Sequence, residues 1–148
     1  MTAIRIMSID SSPRSLDADL LELLRGGFPD EPVDLLAVEL TRARDHVNGF
    51  GFLALDDDEI IGVLTGHHRA PSTAFLVYLT VADGHRRQGV ARKLLEPFAG
   101  QDVKLRVARS NLAAQALYRS GGLNQTGHHT KQHEDWSGDW GSTPSGCP

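Results

Sequence analysis

The segment Arg86-Arg87-Gln88-Gly89-Val90-Ala91 joins a nearly continuous apolar run to an amphipathic one, and its residue types suit an anion. A helix start leaves its first backbone N–H groups without intrahelical acceptors and carries the positive end of the helix dipole. Such a turn takes phosphate or pyrophosphate well. Gly89 lets a ligand approach the main chain because no Cβ stands in the way, and Ala91 is small for the same reason. Arg86, Arg87, Arg92 and Lys93 put positive charge around the same point. The spacing fits neither G-x-x-x-x-G-K-[ST] nor G-x-G-x-x-G, which removes both of those nucleotide loops. Further on, Asn111 and Tyr118 are two helical turns apart and share a helix face.

These residues need elements to hold them. Ile4, Ile6 and Ile9 nearly alternate and predict a first strand. Leu16, Leu20, Leu23 and Leu24 recur at helical spacing, with Ser15 as the expected N-cap and Gly26-Gly27 as the stop. A second helix is expected after Pro32, with Val33, Leu36, Ala37, Leu40 and Val47 on its apolar face. Strands are expected over residues 50–55 and 60–64, joined by Asp56-Asp57-Asp58-Glu59, which reads as a solvated hairpin turn or as a docking patch for a cation. Residues 73–81 are nearly all apolar at their centre, as in a strand covered on both faces. A helix follows with Val90, Ala91, Leu94, Leu95 and Phe98 on one face. Val103, Leu105 and Val107 alternate with Lys104 and Arg106 in a half-exposed strand. Asn111 opens a last helix, on which Leu112, Ala113, Ala116 and Leu117 are expected to face the core and Tyr118 to lie at the edge, before Gly121-Gly122 closes it. The order is β-α-α-β-β-β-α-β-α, a mixed α/β domain with antiparallel middle strands and at least one parallel pair.

Two motifs lie at matching distances. Residues 86–91 fit R-x-x-G-x-[GA], and residues 111–123 fit N-x-x-A-x-x-x-Y-x-x-x-G-[FL] through Asn111, Ala114, Tyr118, Gly122 and Leu123. With Leu79-Thr80-Val81 before them, the chain resembles the GNAT superfamily of acetyl-CoA-dependent N-acetyltransferases over residues 50–123. The resemblance implies a central, mostly antiparallel mixed sheet of five to seven strands flanked by about four helices. It also implies acetyl-CoA as co-substrate. Residues 86–91 (Arg86, Arg87, Gln88, Gly89, Val90, Ala91), with Arg92, would hold the coenzyme A pyrophosphate. Leu79, Thr80 and Val81 would line the pantetheine arm, and the Leu79 N–H would polarise the thioester carbonyl. Asn111 and Ala114 would contact the cofactor, and Tyr118 would protonate the leaving thiolate.

An alkylamine is protonated at neutral pH and must lose its proton before it attacks a thioester. Many members of the superfamily carry a Glu for this on the strand corresponding to residues 73–81, where this chain holds Phe75, Val77 and Tyr78 and no carboxylate. The candidate bases are Asp83, His67, His68 and Glu59, or a water chain.

Composition bounds the rest. The chain has 148 residues, 40% hydrophobic and 23% charged, which predicts one globular domain over residues 1–135. No apolar run reaches membrane-spanning length, the N-terminus lacks a secretion signal, and the single cysteine, Cys147, excludes an internal disulfide or cysteine zinc cluster. A cytoplasmic protein is expected. The net charge of −4 argues against nucleic acid and favours a cationic acceptor such as a polyamine, an aminoglycoside-like amine or a peptide amine. His128, His129 and His133 with Glu134 and Asp135 sit in a polar segment near the end, so no metal is expected. A short strand is expected within residues 127–132. Residues 136–148 read as a flexible tail, whose Trp136 and Trp140 would otherwise dock on the domain or on a second copy in a homodimer. The leading function is N-acetyl transfer by direct attack of a primary amine. The competing one is a non-catalytic acyl-CoA sensor.

Overall fold

The structure is a computed structural model that describes residues 4–86, 88–128 and 130–141. In chain order the elements are β1 (Ile4–Ser8), α1 (Asp17–Gly27), α2 (Val33–Asp45), β2 (Gly49–Asp56), β3 (Glu59–Ala70), β4 (Thr73–Val81), α3 (Val90–Leu95), β5 (Asp102–Ala108), α4 (Leu112–Ser120), β6 (Asn124–His128) and β7 (His133–Asp139). The strands are hydrogen-bonded in the order β1-β2-β3-β4-β5-β7-β6. The expected mixed α/β class, strand range and four helices are therefore found. Two compact units divide the chain along β3 and β4, one reaching to His67 and resuming over Tyr78–Leu94, the other comprising His68–Val77 and the chain from Leu95 onward.

In the first unit β1, β2 and β3 form an antiparallel meander, from Ile4↔Asp56 to Ser8↔Phe52 and from Gly49↔His67 to Asp56↔Glu59. The acidic hairpin forms as expected, with Asp57 in the left-handed region (φ 55°). Leu20 and Leu24 of α1 and Leu36 and Leu40 of α2 pack on Leu53 of β2 and Val63 of β3, together with Ile9. Gly62 points to the opposite face, where Val90 and Leu94 of α3 close on it, because successive strand residues alternate sides.

Several local expectations are corrected by this packing. Ile9 belongs to a one-turn 3₁₀ helix after β1, not to the strand. Ser15 does not cap α1, since a 3₁₀ turn over Arg14–Leu16 feeds the helix directly. The buried face of α2 is Leu36, Glu39, Leu40 and Ala43, while Val33 is 44% exposed and Val47, beyond the helix, is 91% exposed. Arg44 explains the turn of the chain here. Its buried guanidinium donates to the Ile9 carbonyl (2.9 Å), the Ser12 carbonyl (2.7 Å) and Asp17 (2.6 Å), tying α2 to the turn after β1 and to the start of α1.

In the second unit β4 and β5 run parallel from Thr73↔Asp102 to Leu76↔Leu105. Strand β5 pairs antiparallel with β7, from Asp102↔Asp139 to Ala108↔His133, and β7 pairs with β6. The chain after Leu123 forms two strands, and the short strand expected within residues 127–132 lies instead over Asn124–His128 and His133–Asp139. The expectation of a flexible segment from residue 136 also fails at its start. Trp136 lies in β7 at 2% exposure, and Trp140 is 5% exposed with its backbone bonded to Gln101 and Gly100. The later tail, including Cys147, lies outside the described residues, as does His129. Helix α4 is rotated from its expected setting. Tyr118 is its buried residue, and Leu112 is 72% exposed.

Arg44→Ala strands Asp17 and two carbonyls that now share one cation, so a loss of roughly 3 kcal/mol is expected in denaturant unfolding.

Candidate functional site

The turn between β4 and α3 is held at both ends. The Ala82 N–H donates to the Ile61 carbonyl (2.8 Å), and the Lys93 N–H donates to the Gly89 carbonyl (3.0 Å). Between them a one-turn 3₁₀ helix covers Asp83–His85, and His85 Nε2 lies 3.4 Å from Asp56 of the β2–β3 hairpin. That pairing commits one carboxylate of the acidic run to a protein partner. Gly89 takes φ 77°, which disfavours any residue with a Cβ, and nothing lies within 4 Å of where a Cβ would stand. The main chain is therefore open to a ligand at that residue. Val90 anchors the helix start in the core at 1% exposure. Gln88, Arg92 and Lys93 are exposed, and Ala91 is half-buried.

The Arg86 Nε donates to the Val81 carbonyl (3.2 Å) and lies 3.2 Å from Asp83, so this side chain braces its own turn. Arg87 lies outside the described residues. On β4 itself, Thr80 is buried against Gly27, where an added Cβ would meet the Thr80 hydroxyl oxygen at 2.1 Å. The end of α1 thereby fixes the height of residues 79–81.

In the second unit Asn111 is the N-cap of α4, its Oδ1 accepting from the Ala114 N–H (3.1 Å). Gln115 ties the same turn to the end of β5 by donating to the carbonyls of Ala108 (3.1 Å) and Arg109 (3.0 Å). Tyr118 is buried, and burial pushes its phenol well above the ordinary tyrosine range. It stays protonated at any working pH, so its O–H is available as a donor.

The four expected bases are spread apart in character. The Asp83 side chain is 97% exposed and pairs with Arg86. Glu59 sits exposed at the hairpin. His67 Nδ1 lies 2.9 Å from Arg42 Nη2. A guanidinium only donates, so Nδ1 accepts and the neutral ring carries its proton on Nε2. His68 is half-buried one residue further along β3.

One acidic residue was missed. Glu39 is only 6% exposed, and its Oε1 lies 3.6 Å from Arg42 Nε. Burial raises its carboxyl above the usual range, while Arg42 and the Thr65 hydroxyl oppose the shift. The signal was present in the sequence: Glu39 stands between Leu36 and Leu40 in the apolar stripe of α2. Tyr78 of β4 joins this region, donating to Glu31 (3.4 Å) and stacking obliquely on Phe28 at 4.8 Å. Burial and the Glu31 charge push its phenol up to about 12. A cleft of about 450 Å³ opens here, lined by Glu22, Arg25, Phe28, Pro29, Glu31 and Val33.

A model of the acetyltransferase (GNAT) family matches residues 14–122. The chain belongs to that family. This GNAT acetyltransferase matches no curated protein. Among solved structures it superposes on the PaiA N-acetyltransferase of Thermoplasma acidophilum in complex with coenzyme A, with TM-score 0.71 and 14% identity over 93% of this chain and 99% of that one. A GNAT-family acetyltransferase of Staphylococcus aureus Mu50 gives TM-score 0.76 at 15% identity, covering 95% and 100% of the two chains. The diaminobutyrate acetyltransferase EctA of Paenibacillus lautus, in complex with L-2,4-diaminobutyric acid and coenzyme A, gives 0.69 at 20% identity over 93% and 95%. Among the described residues no cluster of metal-ligating side chains occurs in this acetyltransferase, and no helix is long and apolar enough to cross a membrane.

The raised Glu39 carboxyl has a thermodynamic signature. The folded state binds its proton more tightly than the unfolded chain, so stability is highest in acid and falls as pH rises through the range above the ordinary glutamate value. Glu39→Gln should therefore melt at a higher temperature than wild type near about pH 8 and lose that advantage near about pH 4, where both states are protonated.

Proposed function

We propose that the chain transfers the acetyl group of acetyl-CoA directly to a primary amine. The observation that carries this is the turn into α3, where Gly89 adopts a left-handed conformation in open space inside the matched family segment. Acetyl-CoA, when bound, supplies an activated acyl carbonyl. The residues present fit it. The backbone over residues 86–91, extended by Arg92, would hold the diphosphate at a helix start where N–H groups lack helical acceptors. The Leu79 N–H would polarise the thioester carbonyl, and Thr80 and Val81 would line the pantetheine. Tyr118, kept protonated by burial, would donate to the departing thiolate. Asn111 has its Oδ1 engaged as a cap, so its contribution to the cofactor would come from the side-chain N–H₂ beside Ala114. The complexes of coenzyme A with two of the similar structures support this reading.

The acceptor is read as a cation. Glu22 is paired with Arg25 (3.6 Å), whereas Glu31 meets only a phenol donor among the described contacts, and the Phe28 ring stands beside it. Carboxylate and aromatic face together suit an ammonium group. The diaminobutyrate bound to the EctA structure is an amine of this kind. No observation favours the acyl-CoA sensor.

Calorimetry with coenzyme A, followed by mass spectrometry of an amine panel incubated with acetyl-CoA, tests the proposal. Absence of coenzyme A binding overturns it. Gly89→Ala forces a Cβ into the left-handed turn at about 1–2 kcal/mol, so coenzyme A affinity should fall roughly tenfold or more. Tyr118→Phe should retain coenzyme A binding and lower kcat by about 100-fold.

A further inference from the structure

Glu39 lies on the buried face of α2 with Leu36, Leu40 and Ala43. Its Oε1 is near Arg42 and its carboxylate faces the Thr65 hydroxyl, yet Oε2 and the Thr65 Oγ1 are both buried and neither meets a partner at close hydrogen-bonding geometry among the described residues. A buried carboxylate oxygen without a partner is destabilising, and such an atom in a native protein calls for an explanation. The groups facing Glu39 are Arg42 on its own helix, Thr65 on β3 and Tyr78 on β4, with His67 linked through Arg42 and Glu31 through Tyr78. Tyr78 directly precedes Leu79, the residue assigned to the thioester carbonyl, and β4 holds no carboxylate of its own.

We propose that Glu39 is the general base of this acetyltransferase, supplied from α2, with Oε2 taking the proton of the acceptor ammonium. The inference rests on the transferase reading. In the step, the ammonium N–H bond breaks and an O–H bond forms on Glu39. The freed amine lone pair then forms the new C–N bond as the C–S bond breaks. The thiolate leaves and takes a proton from Tyr118, the second proton of the acylated nitrogen passes through water to restore the Tyr118 phenol, and Glu39 returns its own proton to solvent. A carboxyl raised by burial is better matched to this task near neutrality than an ordinary one. Arg42 keeps the proton from being held permanently, since it favours the charged form.

The test uses two probe amines, 1,4-diaminobutane, protonated at neutral pH, and hydroxylamine, largely unprotonated there. Acetylation rates are measured against pH for wild type, Glu39→Gln and Glu39→Asp, with coenzyme A affinity and thermal melting as controls. Glu39→Gln should cut 1,4-diaminobutane acetylation by about 100-fold, leave hydroxylamine within about threefold, and abolish the acid limb of the pH profile, with coenzyme A affinity unchanged. Glu39→Asp should recover part of the rate and the limb. Equal losses for both amines, an unchanged acid limb, or wild type acetylating neither probe overturns the assignment. Failure of wild type to bind coenzyme A removes the transferase reading beneath it, and is separately visible.

Discussion

The left-handed backbone at Gly89 is the constraint on which the site depends. A strand must end, turn and begin a helix within a few residues while leaving its main chain uncovered at Gly89. The turn has no room for disorder at its ends. Ala82 is bonded to β3, His85 leans on Asp56 of the hairpin, and Val90 is driven into the core over Gly62. Arg86 adds to this by spending its guanidinium on the Val81 carbonyl and Asp83.

A second theme is the placing of polar groups where apolar ones would be more stable. Arg44 is buried, but it is surrounded by carbonyls and Asp17 and holds three segments together. Glu39 is buried with less compensation. Stability is given up there, and such losses concentrate where a group has chemistry to perform. Tyr78 and Tyr118 differ in the same way. Both phenols are held protonated by burial, yet Tyr78 is oriented by a carboxylate and Tyr118 by packing.

Most of the architecture was legible. The limits of β4, the acidic hairpin, the start of α4 at Asn111 and the turn at residues 86–91 follow from local chemistry: alternation, turn residues and capping. The misreadings on the helices share one cause. Helical periodicity marks which residues are apolar, not which of several apolar arcs meets the core. On α4 a single tyrosine outweighed Leu112, and on α2 a glutamate replaced Val33 and Val47 on the buried face. The tail was misread because Trp136 and Trp140 lie among glycines and serines, which by themselves signal loop.

The amino-acid order alone determined the two motifs, the element sequence and the absence of a carboxylate on β4, because each depends on neighbours within a few residues along the chain. Tertiary structure decided what those residues face. Which nitrogen of His67 is engaged, that Arg86 turns back on its own loop, and that Glu39 is stripped of water all depend on groups distant in sequence. Burial is a property of the packed chain, and it is burial that changes the chemistry of a side chain.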